Sequence, residues 1–125
     1  MSQQISESEL VIMKIIWKKG GIALYSSIME ELDKDENKWK KNTVLTLLSR
    51  LIDKKFLKIS KIGRRNEYAA LVTEQEYQAM QTHSFLNKIY GGNVKSLVST
   101  LLQQDILSAD ELKEIEEFWK SNLEK

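Results

Sequence analysis

The 125-residue sequence has no cysteine, no proline and a single histidine. Without cysteine there can be no disulfide, no thiolate metal site and no cysteine nucleophile. With His83 as the one imidazole, no histidine metal cluster can be assembled, and His83 reads as an ordinary packed or surface side chain. Glycine is scarce too, and the pairs Gly20-Gly21 and Gly91-Gly92 lack the spacing of a phosphate-cradling loop. No apolar run approaches membrane-spanning length, and Met1-Ser2-Gln3-Gln4 begins no basic-then-apolar leader. These gaps point away from an enzyme and from any metal or cofactor. They lead to the expectation of a cytoplasmic protein.

What is present is a core and an uneven distribution of charge. The hydrophobic fraction is 42%, with tryptophan at 17, 39 and 119, enough to bury a real interior. The net charge of +1 conceals two opposed regions. Residues 37–66 hold ten basic side chains against Asp53 alone, a net +9, whereas residues 103–125 hold seven acids against three lysines, a net −4. A concentrated basic region beside neutral or acidic flanks suits a nucleic-acid contact surface.

With proline absent, punctuation comes from glycines and caps. Ser6-x-x-Glu9, Thr73-x-x-Glu76 and Ser108-x-x-Glu111 each read as a capping box that starts a helix. The first helix should run from about Glu7 to Lys18, with Leu10, Met13 and Trp17 on one face, and stop at Gly20-Gly21. A short second helix over residues 25–34 places Ile28, Met29 and Leu32 inward. The third begins near Lys40, with Val44, Leu47, Leu48 and Leu51 as a core stripe. Residues 56–62 and 66–72 tend toward alternation, joined by Gly63-Arg64-Arg65: a β-hairpin with a basic tip. Three helices and a hairpin form the winged-helix order. The fold class is therefore mainly α with a small β-hairpin: a winged-helix domain over residues 1–72 and a helical domain over 73–125, its three helices broken at Gly91-Gly92 and near residues 105–108.

The third helix is the most informative. Opposite its apolar stripe lie Asn42, Thr43, Thr46, Ser49 and Arg50. Exposed helix faces ordinarily favour Glu, Lys and Gln, because Thr, Ser and Asn are poorer helix formers. A face that sacrifices propensity for short hydrogen-bonding groups fits a helix seated deep in a major groove, where Asn and Arg can reach base edges. Lys38, Lys40 and Lys41 precede it, where phosphates would lie. Lys61, Arg64 and Arg65 give the wing a second basic contact. Trp39 reads as a packing anchor.

Several stretches then resemble one family. Residues 39–51 (WKKNTVLTLLSRL), Lys54-Lys55-Phe56-Leu57, Gly63-Arg64 with Tyr68, His83-Ser84-Phe85-Leu86-Asn87 and Leu107-Ser108-x-x-Glu111-Leu112 together resemble the penicillinase-repressor family, the BlaI/MecI/CopY group. The resemblance spans residues 5–119. It implies a transcriptional repressor with a winged-helix domain and a helical dimerisation domain, bound to palindromic operators and linked to antibiotic resistance. By position it puts Asn42, Thr43 and Thr46 on bases, with Arg50 and the wing arginines on the backbone. Asn42 stands where relatives often carry lysine, so the operator sequence can differ. The copper-sensing branch needs a cysteine-rich tail that is missing here. In the β-lactam-linked branch a sensor-protease pathway leads to cleavage at an Asn–Phe pair. The matching pair here is Thr100-Leu101, a departure that bears on whether the same switch operates.

A lone winged helix buries too little DNA to be selective. Leu97, Val98, Leu101 and Leu102 form one apolar stripe, and Leu112, Ile115, Phe118 and Trp119 another, so a self-complementary homodimer is expected. The competing expectation is a winged-helix module that binds an acidic protein partner. It would need exposed apolar anchors on the third helix, where only Leu45 qualifies.

Overall fold

The computed structural model describes residues 4–34 and 38–123. The chain divides into two compact units, Met1–Met80 and Gln81–Lys125.

In the first unit, α1 (Glu7–Lys18), β1 (Ile22–Leu24), α2 (Tyr25–Asp33) and α3 (Lys41–Asp53) lead into the hairpin β2 (Leu57–Ile62) and β3 (Arg65–Ala70). α1 opens as its capping box requires: the Glu9 amide donates to Ser6 Oγ at 3.1 Å and the Ser6 amide to Glu9 Oε1 at 2.7 Å. It closes in a glycine-rich reversal, with the Gly20 amide donating to the Trp17 carbonyl and the Gly21 amide to the Ile16 carbonyl. Gly20 at φ 93° and Gly21 at φ 94° occupy backbone that a β-carbon disfavours.

The sheet is three-stranded and antiparallel in the order β1-β3-β2. Ala23 lies opposite Tyr68, and Ile59 faces Tyr68 from the other side. Sequence reading missed β1, whose three residues make a strand only by pairing with β3. It also put Arg65 in the turn. In the structure Arg65 pairs with Ile62, which leaves Gly63 and Arg64 as a two-residue turn with Gly63 at φ 65°.

The core gathers Ile12, Met13 and Ile16 of α1, Ile28 and Leu32 of α2, and Phe56, Leu57 and Tyr68 around the sheet. Val44, Leu47, Leu48 and Leu51 of α3 join it, the whole of the expected stripe. The α1 face expected at Leu10, Met13 and Trp17 is corrected to Glu9, Ile12, Met13 and Ile16. Trp17 and Leu10 are half-buried, and Trp17 Nε1 donates to the Val72 carbonyl at 2.9 Å. Tyr77, in the first turn of α4 (Glu74–Tyr90), stacks beside Trp17 and meets Phe56 edge-on. Trp39 packs against the same core.

The second unit holds the rest of α4 with α5 (Val94–Gln103) and α6 (Ala109–Leu123). α4 and α6 begin with the capping boxes expected at Thr73/Glu76 and Ser108/Glu111, and Asn93 caps α5. No described residue of α4, α5 or α6 is fully buried. Among the described residues, no helix is long and apolar enough to cross a membrane.

Candidate nucleic-acid interface

α3 carries two chemistries on opposite sides. While Val44, Leu48 and Leu51 are at most 1% exposed, Asn42, Thr43, Thr46, Ser49 and Arg50 all lie at the surface. Thirteen residues thus supply both a core wall and an outer polar face with no acid among its hydrogen-bonding groups. Lys38, Lys40 and Lys41 are exposed where α3 begins. Lys61 on β2, Arg64 in the turn and Arg65 opening β3 are exposed on the wing.

The helix starts differ in a way that bears on anion binding. α1, α4, α5 and α6 have side-chain caps. α2, capped by Leu24, and α3, capped by Lys40, have none, and neither has an acid in its first turn. Free amides and a positive dipole end favour an anion there. Lysines at 40 and 41 oppose the α3 dipole, a local cost that a bound phosphate would reverse.

Next to the wing, a cavity of about 360 Å³ is lined by Leu24, Tyr25, Ser26, Arg64, Arg65 and Asn66. The start of α2 and the two wing arginines therefore share one site, a juxtaposition that β1 creates by placing α2 against β3. The Tyr25 hydroxyl is buried without a hydrogen-bond partner among the described residues. Burial, and then the charge of Asp33, push its pKa up, so it remains a neutral donor. Tyr25 and Ser26 escaped the sequence reading because nothing local links them to residues forty positions on.

One member of the basic segment is already engaged. Lys54 Nζ lies 2.8 Å from Glu9 Oε1 and donates to the Gln4 carbonyl at 3.0 Å, so it belongs to the fold rather than to the contact surface. Its neighbour Lys55 has φ 67° and ends α3: its amide donates to the Ile52 carbonyl, and that of Phe56 to the Leu51 carbonyl. Glycine is the usual occupant of this position. A lysine retained there keeps an exposed charge between α3 and the wing at the expense of backbone strain. Lys55→Gly is expected to raise stability by about 1 kcal/mol, read by urea denaturation, while lowering affinity for DNA.

In the second unit Leu97, Val98, Leu101, Leu102 and Leu112 are half-buried, and Ile115, Phe118 and Trp119 are exposed. Phe85, Ile89, Val94 and Ile106 are further exposed apolar residues outside the predicted set, and Leu123, which adjoins the second stripe in sequence, is exposed as well. Thr100 and Leu101 sit within α5, where Thr100 Oγ1 donates to the Ser96 carbonyl. His83 is exposed.

Comparison with known proteins matches residues 5–121 to the penicillinase repressor family. The penicillinase repressor of Bacillus licheniformis is 39% identical over 112 residues, covering 90% of this chain and 86% of the relative. The methicillin resistance regulatory protein MecI of Staphylococcus aureus (strain N315) is 34% identical, covering 90% of this chain and 89% of the relative. Among solved structures, monomeric BlaI of Bacillus licheniformis in complex with the blaP half-operator aligns with a TM-score of 0.52 at 36% identity, over 62% of this chain and 92% of that one. The winged-helix expectation thus stands, and the chain belongs to the penicillinase repressor family of transcriptional repressors.

Proposed function

We propose that the chain represses transcription from the cytoplasm by holding a palindromic operator as a homodimer, one α3 in the major groove of each half-site. The observation that carries this reading is the outer face of α3, where Asn42, Thr43, Thr46, Ser49 and Arg50 are all exposed. Asn42, Thr43 and Thr46 face bases. Arg50, Lys38, Lys40 and Lys41 meet the backbone beside them. Lys61, Arg64 and Arg65 meet phosphates flanking the groove, together with the uncapped start of α2. In function the reading domain covers residues 1–72 and the dimerising domain 73–125, the boundary falling at the capping box that starts α4.

Dimerisation is supported by two observations. The second unit keeps Ile115, Phe118 and Trp119 between 48% and 63% exposed in the single chain, more apolar surface than a tail requires. The BlaI relative occupies a half-operator in its monomeric form, which suits a whole operator read by two copies. Release by a cut at Thr100-Leu101, downstream of a sensor protease, would separate the paired reading heads. Because that bond lies inside α5, α5 must first unwind to enter a protease cleft.

The test is selection of randomised duplexes at moderate salt followed by sequencing of the bound pool. An enriched inverted repeat is the expected result, and a pool without enrichment would overturn the reading. On the selected operator, Thr46→Ala should relax preference at one position per half-site. Arg65→Ala should weaken all sequences alike and reduce the slope of log K against log salt by about 2, one phosphate per subunit.

A further inference from the structure

We infer that α3 carries a seat for the 5-methyl group of thymine, built from Thr46 over Leu47. The inference rests on the reading of α3 as the major-groove helix. Thr46 Oγ1 donates its only proton to the Asn42 carbonyl one turn back, at 2.9 Å. A hydroxyl so engaged has no proton left for a base. It cannot donate to guanine O6 or N7, nor to thymine O4. The oxygen is turned back against the helix and keeps only lone pairs, so the other branch of the β-carbon, the methyl group, is the apolar surface that Thr46 offers a base edge.

The surroundings match an apolar guest. Asn42, Thr43, Thr46, Leu47 and Arg50 line a hollow of about 330 Å³ on this face. Leu47 is only 6% exposed, so it forms the floor rather than the rim. Two threonines, each with a methyl group, and a leucine therefore line a hollow whose other members are polar. In the major groove the one apolar group on any base edge is the thymine methyl. Direct hydrogen bonding to bases then falls to Asn42, while Thr46 selects by shape and desolvation.

The experiment pairs a methyl removed from DNA with one removed from protein. Each thymine of one half-site in the selected operator is replaced in turn by deoxyuridine. Affinity is measured by fluorescence anisotropy for wild type, Thr46→Val and Thr46→Ser, with circular dichroism as the check on folding. The expected result is one thymine whose replacement weakens wild type about three- to fivefold, the worth of one buried methyl. Thr46→Val should bind like wild type and show the same loss. Thr46→Ser should bind more weakly and lose little more on the uracil duplex. Two results would overturn the seat: no thymine whose methyl matters, or a Thr46→Val protein at least tenfold weaker while Thr46→Ser holds. A protein with no preferred duplex would instead overturn the reading of α3 itself.

Discussion

Trp119→Asp is expected to leave the protein folded, convert it to a monomer, and lower affinity for a full palindromic operator by about a hundredfold or more. Trp119 is 59% exposed in the single chain and touches Phe118 edge-on, the ring centroids 6.5 Å apart, so no internal core depends on it. Its neighbours along α6 are Ile115, one turn back, and Leu123, one turn on, at 48% and 77% exposure. A stripe of this kind is stable in water once a second copy covers it. A carboxylate at its centre would have to be desolvated against apolar side chains, which the interface cannot compensate. Each half-site would then be bound separately, and the effective-concentration advantage of two tethered reading heads, commonly 10²- to 10⁴-fold, would vanish. Affinity for a single half-site should not change. Sedimentation and binding to whole and half operators check both parts. A monomer that still holds the whole operator tightly, or a dimer that survives the substitution, would contradict the assignment.

Glu9→Ala is the second large effect, and it acts on stability. Glu9 is 1% exposed, yet it is charged, and its partner Lys54 sits at the C-cap of α3. The pair ties the start of α1 to the end of α3, while Glu9 also accepts the Ser6 amide. Removing one member strands an ammonium that is only about a quarter exposed and dismantles half of a capping box. Loss of a partner from a buried pair typically costs about 3 kcal/mol, a fall in melting temperature of roughly 15 °C for a domain of this size. Burial pushes the Glu9 carboxyl up, but the Lys54 ammonium and the Ser6 amide and hydroxyl outweigh it, so its pKa lies below the ordinary 4.5. Protonation is therefore easier in the unfolded chain. The stabilisation is complete above about pH 4.5 and is lost as pH falls through the depressed value. Wild type should lose stability in that acid range more steeply than Glu9→Ala, as thermal scans at a series of pH values would show.

The same pair illustrates what a single sequence conceals. Residues 10–17 of α1 are apolar at all but one position, so periodicity offers several faces, and the true one includes a glutamate whose partner is 45 residues away. β1 was hidden for a related reason, because Ile22, Ala23 and Leu24 form a strand only by pairing with Ala69, Tyr68 and Glu67. Where local and tertiary signals coincide, the reading was accurate. α3 alternates apolar and polar residues at a clean helical period, and its stripe is buried in full. The capping boxes are self-contained over four residues and formed at all three positions. The polar residues proposed as the contact face stand out in the sequence because they contradict helix propensity. Tyr25 and Ser26 do not, since only the pairing of β1 with β3 brings them to the wing arginines.

The division of α3 into an inward and an outward face also governs how the protein can change over generations. Asn42, Thr43, Ser49 and Arg50 contribute no buried side chain, so replacing them alters stability by no more than about 0.5 kcal/mol in either direction. Val44, Leu47, Leu48 and Leu51, interleaved with them, tolerate little. If α3 reads the operator as proposed, a lineage can therefore acquire new promoters through outward substitutions without passing through an unstable ancestor. Duplicated copies in one genome can diverge in target while keeping a common architecture.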